Sequence, residues 1–239
     1  MNVTVPLTTF DEVWAYAERI PGWLKRNQAR MLWDAVGRLD SGARIVEIGS
    51  HQGRSTVVLA AAARTLGASV IAIDPFVEGR LFGGRQTRAR FEANLAVAGL
   101  DRVVDLVVGY STRLRQSFTE PIDLLYIDGK HDYWTFTDDL RWSDRLPPHG
   151  EILAHDCYSS LGVTLGVLVK VLCSRRYAYL DRSDSLARFA VRAPLPADRA
   201  RLLRQLPWFI RNLVIKIGLR LWPGRAITVL GHTGPYDPY

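Results

Sequence analysis

Between residues 43 and 158, short apolar runs alternate with longer stretches of helical spacing. The runs "ARIVEIGS" (43–50), "SVIAIDPF" (69–76), "VVDLVVGYS" (103–111), "IDLLYIDG" (122–129) and "GEILAHDCY" (150–158) are rich in β-branched residues and read as strands buried on both faces. Between them, "STVVLAAAARTLG", "RQTRARFEANLAVAGL", "TRLRQSF" and "TFTDDLRWSDRL" predict helices, with Gly67 and Gly99 placed as C-terminal stops. Strand, helix, strand at this pace means a parallel sheet covered on both faces by right-handed crossovers. A further helix, "LGVTLGVLVKVLCSR", leads to "YAYLDRS" and "SLARFAVRA", whose connection is too short for a crossover, so this last pair is antiparallel. The expected fold class is therefore α/β: five parallel strands followed by a terminal antiparallel pair, with helices on both faces.

The flanks differ from this core. Residues 9–39 predict one or two amphipathic helices broken near Pro21-Gly22, and Pro194 and Pro196 mark a linker. Residues 198–222 read as a helix in which Asn212, Lys216 and Arg220 form an i, i+4 polar stripe on an otherwise apolar segment. The expected organisation is an N-terminal helical appendage (1–40), a core (41–193) and a basic amphipathic C-terminal extension (194–239).

Charge sharpens that picture. Residues 199–225 hold seven cations (Arg199, Arg201, Arg204, Arg211, Lys216, Arg220, Arg225) and no acid, which equals the formal net charge of +7, so the rest of the chain is near neutral. A general basic field would suggest nucleic acid; one basic segment instead suggests adsorption to an anionic membrane surface, a homodimer or lid helix, or cover for the N-terminal helices. No long uncharged apolar window and no signal-like N-terminus are present, so the expected location is the cytoplasm, with peripheral contact at the inner membrane surface through 199–225. Cys157 and Cys173 have no metal-ligand or redox spacing and are expected to be reduced and buried.

Candidate chemistry sits at the strand ends, where ligands bind in open α/β sheets. The first strand ends "VEIGSHQGRST": Gly49 and Gly53 permit a tight turn and close approach of a ligand to the backbone, and the following helix offers free N–H groups. The loop is not G-x-G-x-x-G, and Glu47 beside it favours a cationic ligand over a pyrophosphate. Asp74 ends the second strand, where an acid can bind both ribose hydroxyls of a nucleoside, and Gly109 and Ser111 end the third, where an adenine edge can be met. Each position also suits an ordinary turn or cap residue. The fourth and fifth runs end in "IDGKHDY" and "AHDCY", which bring Asp128, His131, His155 and Asp156 to neighbouring tips.

Together "VEIGSHQGRST", "AIDPF", "VVGYS" and "LLYIDGKHDY" resemble class I S-adenosylmethionine-dependent methyltransferases over roughly residues 40–193. "IDGxHxY" followed by the "HD" strand end is similar to the branch holding macrocin-type and novobiocin-type sugar O-methyltransferases and cephalosporin-hydroxylase-like proteins. The resemblance implies a Rossmann-like, seven-stranded, mostly parallel sheet with an antiparallel last strand and helices on both faces, and S-adenosylmethionine as cofactor, with Glu47, Gly49, Ser50, Gly53, Ser55, Asp74, Ser111 and Asp128 around it. It implies a divalent metal, Mg2+ or Mn2+, on Asp128, His155 and Asp156, and His131 as general base. Position 155 departs from the pattern, since related members more often carry an acid there; an imidazole suits manganese better than magnesium. A capping role for His131 is the competing assignment, with Asp132 as the alternative cap.

The expected activity is O-methylation of a hydroxyl on a small-molecule, sugar, oligosaccharide or glycolipid acceptor. Rivals are a catechol-like or polyketide hydroxyl, and a catalytically silent cofactor-binding module held by its basic tail. The nucleic-acid base methylation signature [DNS]-P-P-[FYW] is absent from the fourth strand end, so nucleic acid is not an expected partner. "LFGGRQTR" (81–88) is a candidate lid, and Tyr133, Trp134 and Tyr158 are candidate rings for stacking on sugars.

Overall fold

The computed structural model describes residues 7–78 and 84–221. In chain order these form α1 (Phe10–Ala17), α2 (Arg26–Val36), β1 (Arg44–Ile48), α3 (Arg54–Thr65), β2 (Ser69–Asp74), α4 (Arg85–Ala98), β3 (Val104–Val108) and α5 (Ser111–Ser117). They continue with β4 (Leu124–Ile127), α6 (Tyr133–Asp139), β5 (Glu151–Ala154), α7 (Leu161–Gly166), β6 (Tyr177–Ser183), β7 (Leu186–Val191), α8 (Pro196–Leu203) and α9 (Leu206–Leu221).

All seven strands join one sheet in the order β3-β2-β1-β4-β5-β7-β6. The first five are parallel, whereas β7 inserts between β5 and β6 and runs antiparallel to both. The chain winds outward from β1 to β3, then returns to β4 on the other side of β1. This reversal opens a crevice at the carboxyl tips of β1 and β4, the place where such sheets bind ligands.

Side-chain alternation divides the core into two layers. Ile45 on β1 joins the apolar cluster beneath α3, while Val46 and Ile48 face the opposite cluster with Ile127, Phe136 and Trp142. Helix α3 is apolar nearly all round, and every residue from Ser55 to Ala63 is buried. Such a helix needs cover on the side away from the sheet. Helices α1 and α2 supply it: Val13, Trp14, Ala17, Leu32 and Val36 share a single cluster with the α3 alanines. The segment expected as an appendage therefore completes the central core. Its start is fixed by a capping box in which the Thr9 side chain accepts from the Glu12 N–H, and Glu12 accepts from the Thr9 N–H at 2.9 Å.

Several expectations change in detail. The helix read over 161–175 is α-helical only to Gly166 and continues as a π-helical segment over Val167–Leu172. The single helix expected over 198–222 is two, because Pro207 cannot donate to the preceding turn and instead sits in the first turn of α9. Pro196 opens α8. Cys157 is buried as expected, but Cys173 is exposed. Within the candidate lid, 81–83 lie outside the described residues and Arg85–Arg88 are the first turn of α4. Trp222 and Arg225 also lie outside the described residues. No helix among the described residues is long and apolar enough to cross a membrane.

Candidate active site

The site begins where β1 and β4 touch. Gly49 has φ +89, and a Cβ there would stand 2.2 Å from the carbonyl oxygen of Asp128, so only glycine permits the contact. The Asp128 N–H donates to Ile48 O at 2.8 Å, which fixes Asp128 directly beside the loop after β1. That loop is then tied to β2: Asp74 accepts from the Ser50 and His51 N–H groups at 3.1 and 3.0 Å with one oxygen, and from the Phe76 N–H at 2.8 Å with the other. Gly53, also at positive φ, is the N-cap of α3.

Glu47 lies behind this loop and is fully buried. Its two oxygens accept from Ser55 Oγ and Thr56 Oγ1, both at 2.5 Å. Burial pushes its carboxyl up to about 7 against the hydroxyl bonds that pull the other way. In this arrangement Glu47 and Ser55 hold the first turn of α3 to the strand. Ser111, in the first turn of α5, donates to Asp139 Oδ1 at 2.5 Å. Asp139 is fully buried, its other oxygen has no hydrogen-bond partner, and burial raises it to about 7.

The second half of the site is a cluster of two acids and two imidazoles. Ligand atoms of Asp128, His155 and Asp156 lie within 4.8 Å of one another. His155 Nδ1 stands 3.4 Å from Asp128 Oδ1 and 3.5 Å from Asp156 Oδ1. His131 Nε2 lies 2.9 Å from Asp156 Oδ2 and 3.9 Å from Asp128 Oδ1. Burial alone would lower the pKa of both imidazoles, but contact with the two carboxylates raises them, His131 to about 10. Burial alone would raise Asp156, yet His155 and His131 bring it well below the ordinary carboxylate range. His131 is thus more basic than an ordinary imidazole, because the two acids hold a proton on it. Asp132 is the N-cap of α6, accepting from Thr135 N–H at 2.9 Å, so His131 is released from that duty.

Backbone geometry places these groups. Asp156 and Tyr158 both have positive φ, an uncommon state for non-glycine residues, and they turn the chain sharply off β5. A Cβ on Gly162 would meet His131 O at 2.5 Å, so glycine lets α7 press against the His131 segment, where Ser160 Oγ donates to the same carbonyl at 3.0 Å. Tyr158 is turned inward by this bend and is fully buried against Tyr179, so it is not available for stacking on an acceptor. Tyr133 and Trp134 stay near the surface, with Trp134 78% exposed.

Three residues escaped the sequence reading. Tyr126, two positions before Asp128 and on the same face of β4, donates to Asp128 Oδ2 at 2.9 Å; the period of two was the available signal. Asp139 could be reached only through the fold. Gln28, fully buried on α2, accepts from His155 Nε2 at 3.2 Å and donates to Ser185 Oγ at 3.0 Å. An amide oxygen facing Nε2 makes that nitrogen the N–H, which directs Nδ1 toward Asp128 and Asp156.

The residues fit both implied groups. For S-adenosylmethionine, the glycine-only approach at Gly49, the helix start at Gly53, the acid at the β2 tip and the unpartnered oxygen of Asp139 provide a cradle and polar partners. For a divalent cation, two carboxylates and an imidazole nitrogen, oriented by Tyr126 and Gln28, provide a hard donor set with one nitrogen.

Comparison with known proteins bears on the fold. Residues 46–157 match the family model described as a methyltransferase domain. Cofactor-bound Rv0187 from MTB superposes with a TM-score of 0.60 at 18% identity, covering 77% of this chain and 89% of that one. An O-methyltransferase from Bacillus cereus in complex with SAH gives 0.57 at 19% identity, covering 77% and 90%. TomG from Streptomyces achromogenes, an O-methyltransferase involved in tomaymycin synthesis and solved with SAM, gives 0.54 at 17% identity, covering 77% and 89%. Residues 46–157 are thus similar to a methyltransferase domain, and the chain shares the fold of these O-methyltransferases.

Two outcomes follow from the buried groups. The Glu47 pKa is higher folded than unfolded, so its contribution to stability is present below about pH 4.5 and is lost as pH rises toward about 7. In urea titrations Glu47→Gln should gain on the unsubstituted protein between pH 5 and pH 8, by about 3 kcal/mol at most; a constant difference would contradict the buried assignment. Gln28→Leu leaves His155 Nε2 and Ser185 Oγ without their amide partner, and should cost about 1–3 kcal/mol in the same titrations.

Proposed function

We propose that this protein is an S-adenosylmethionine-dependent O-methyltransferase that acts on a hydroxyl of a sugar-bearing acceptor with the help of a divalent cation, Mg2+ or Mn2+. The observation that carries this reading is the convergence of Asp128, His155 and Asp156 beside the β1 loop, with His131 at its rim. The cofactor supplies an electrophilic methyl group, and a cation held by Asp128, His155 and Asp156 supplies Lewis-acid polarisation of an acceptor oxygen.

The chain's own residues do the rest. Gly49 and Gly53 let the backbone approach the cofactor closely, and Asp74 holds the loop at the β2 tip. Tyr126 and Gln28 orient Asp128 and His155. His131 is half-exposed, so it faces an incoming acceptor while Asp156 anchors its Nε2. The carboxylates that would hold the cation are those that keep the proton on His131, so cation binding and His131 protonation draw on the same negative charge. His131 therefore acts as a base most readily when that charge is otherwise engaged. The neighbouring rings of Tyr133 and Trp134, with centroids 5.0 Å apart, offer a surface for a sugar face. A second reading, methylation of a catechol-like hydroxyl, is supported by the shared fold with a methyltransferase of small natural-product synthesis.

A screen of sugars, glycosides and phenols with methyl-labelled S-adenosylmethionine, with and without chelator, tests this. The expected result is transfer to a sugar hydroxyl that chelator abolishes and Mg2+ or Mn2+ restores. His131→Ala should lower turnover roughly 100-fold or more while cofactor affinity is kept. Transfer to phenols alone would favour the catechol reading, and cofactor binding without any transfer would leave a silent module.

A further inference from the structure

Helix α9 turns polar side chains toward the protein and apolar ones toward solvent. Two members of its polar stripe face the protein: Asn212 is fully buried and its Nδ2 donates to Tyr158 O at 3.1 Å, while Lys216 Nζ donates to Ser159 O at 2.7 Å. Ile215 is buried on the same side, and Trp208 packs inward with the Arg182 guanidinium 4.2 Å from its ring centroid. Trp208 is thus part of the inner surface and not of an outer one. The opposite face carries Ile210, Val214 and Ile217 at i, i+4, i+7, exposed by 57%, 42% and 48%. With Asn212 and Lys216 spent on the fold, the exposed side chains among the described residues from Ile210 onward are all apolar.

A second pair of exposed apolar residues lies close in sequence to where α9 is anchored. The carbonyls that anchor α9 belong to residues 158 and 159, just before α7, whose Leu161 and Leu165 are also exposed. Solvent-facing apolar residues grouped in this way mark an interaction surface.

Charge decides among occupants. Among the described residues, 199–218 carry five cations, Arg199, Arg201, Arg204, Arg211 and Lys216, and no acid, and Arg204 is exposed. A second copy docked face to face would set this segment against itself, like charge on like charge. An anionic bilayer presents the opposite sign together with hydrocarbon at interfacial depth. We propose that α9 lies on an anionic membrane surface, its Ile210, Val214 and Ile217 in the headgroup boundary, with the strand-tip end of the domain held against the bilayer. This surface is independent of the acceptor chemistry.

Co-sedimentation of the full chain with vesicles tests it. Vesicles containing about 30 mol% phosphatidylglycerol in phosphatidylcholine should pellet the protein, pure phosphatidylcholine should pellet much less, and added salt should weaken the binding. The pair Ile210→Glu/Ile217→Glu should reduce vesicle binding at least roughly ten-fold, with the thermal unfolding midpoint unchanged. If the glutamates lower that midpoint, Ile210→Ser/Ile217→Ser repeats the comparison. Failure of the unsubstituted protein to pellet with anionic vesicles, or equal pelleting by the variants, overturns the proposal. A dimer in sedimentation equilibrium that the same substitutions dissolve would assign the face to a second copy and also overturn it.

Discussion

The close approach of β1 and β4 at Gly49 and Asp128 sets everything else at the site. With a side chain at 49 the two tips would have to part, and the carbonyl of Asp128 would move away from the loop. Because they touch, one short stretch of backbone both shapes the glycine loop and presents the acid that begins the charged cluster. The strand order explains why this junction matters: β1 and β4 are the neighbours between which the winding reverses, so no crossover covers their tips.

Around that junction the protein concentrates conformations and charges that cost stability. His51, Phe76, Asp156 and Tyr158 all hold positive φ at strand tips, each at a cost of about 1–3 kcal/mol. Glu47, Asp139, His155 and Asp156 are buried ionisable groups. The surroundings answer them with specific partners: Ser55 and Thr56 for Glu47, Ser111 for Asp139, Gln28 for His155. Groups of this kind belong where polar chemistry must be held in fixed geometry away from water. The dense apolar packing of α1 and α2 on α3 keeps the support rigid, and Gln28 links that support directly to the cluster.

Elements buried on both faces announced themselves in sequence. The five parallel strands and the terminal antiparallel pair were readable because their apolar runs are short, bounded and separated by helical spacing, and Asp128, His131, His155 and Asp156 stood out as polar residues at the ends of such runs. What stayed hidden depends on contacts distant in sequence. Gln28 meets His155 across more than a hundred residues, and Asp139 meets Ser111 only once β3 and β4 have taken their places in the sheet. Asn212 and Lys216 were readable as a polar stripe but not as an inward face, because periodicity reports that a stripe is polar, not which way it points. The basicity of His131 likewise follows from carboxylates that only the fold brings near.

The central claim is that the tips of β4 and β5 hold a divalent cation beside a cofactor cradled at the tip of β1. Diffraction from crystals grown with S-adenosylhomocysteine and Mn2+, recorded for manganese anomalous scattering, tests it most directly. The account predicts one strong anomalous peak bounded by Asp128, His155 Nδ1 and Asp156, with the cofactor product lying over Gly49 and Gly53. Product bound in the loop with no anomalous density among those three residues would contradict it.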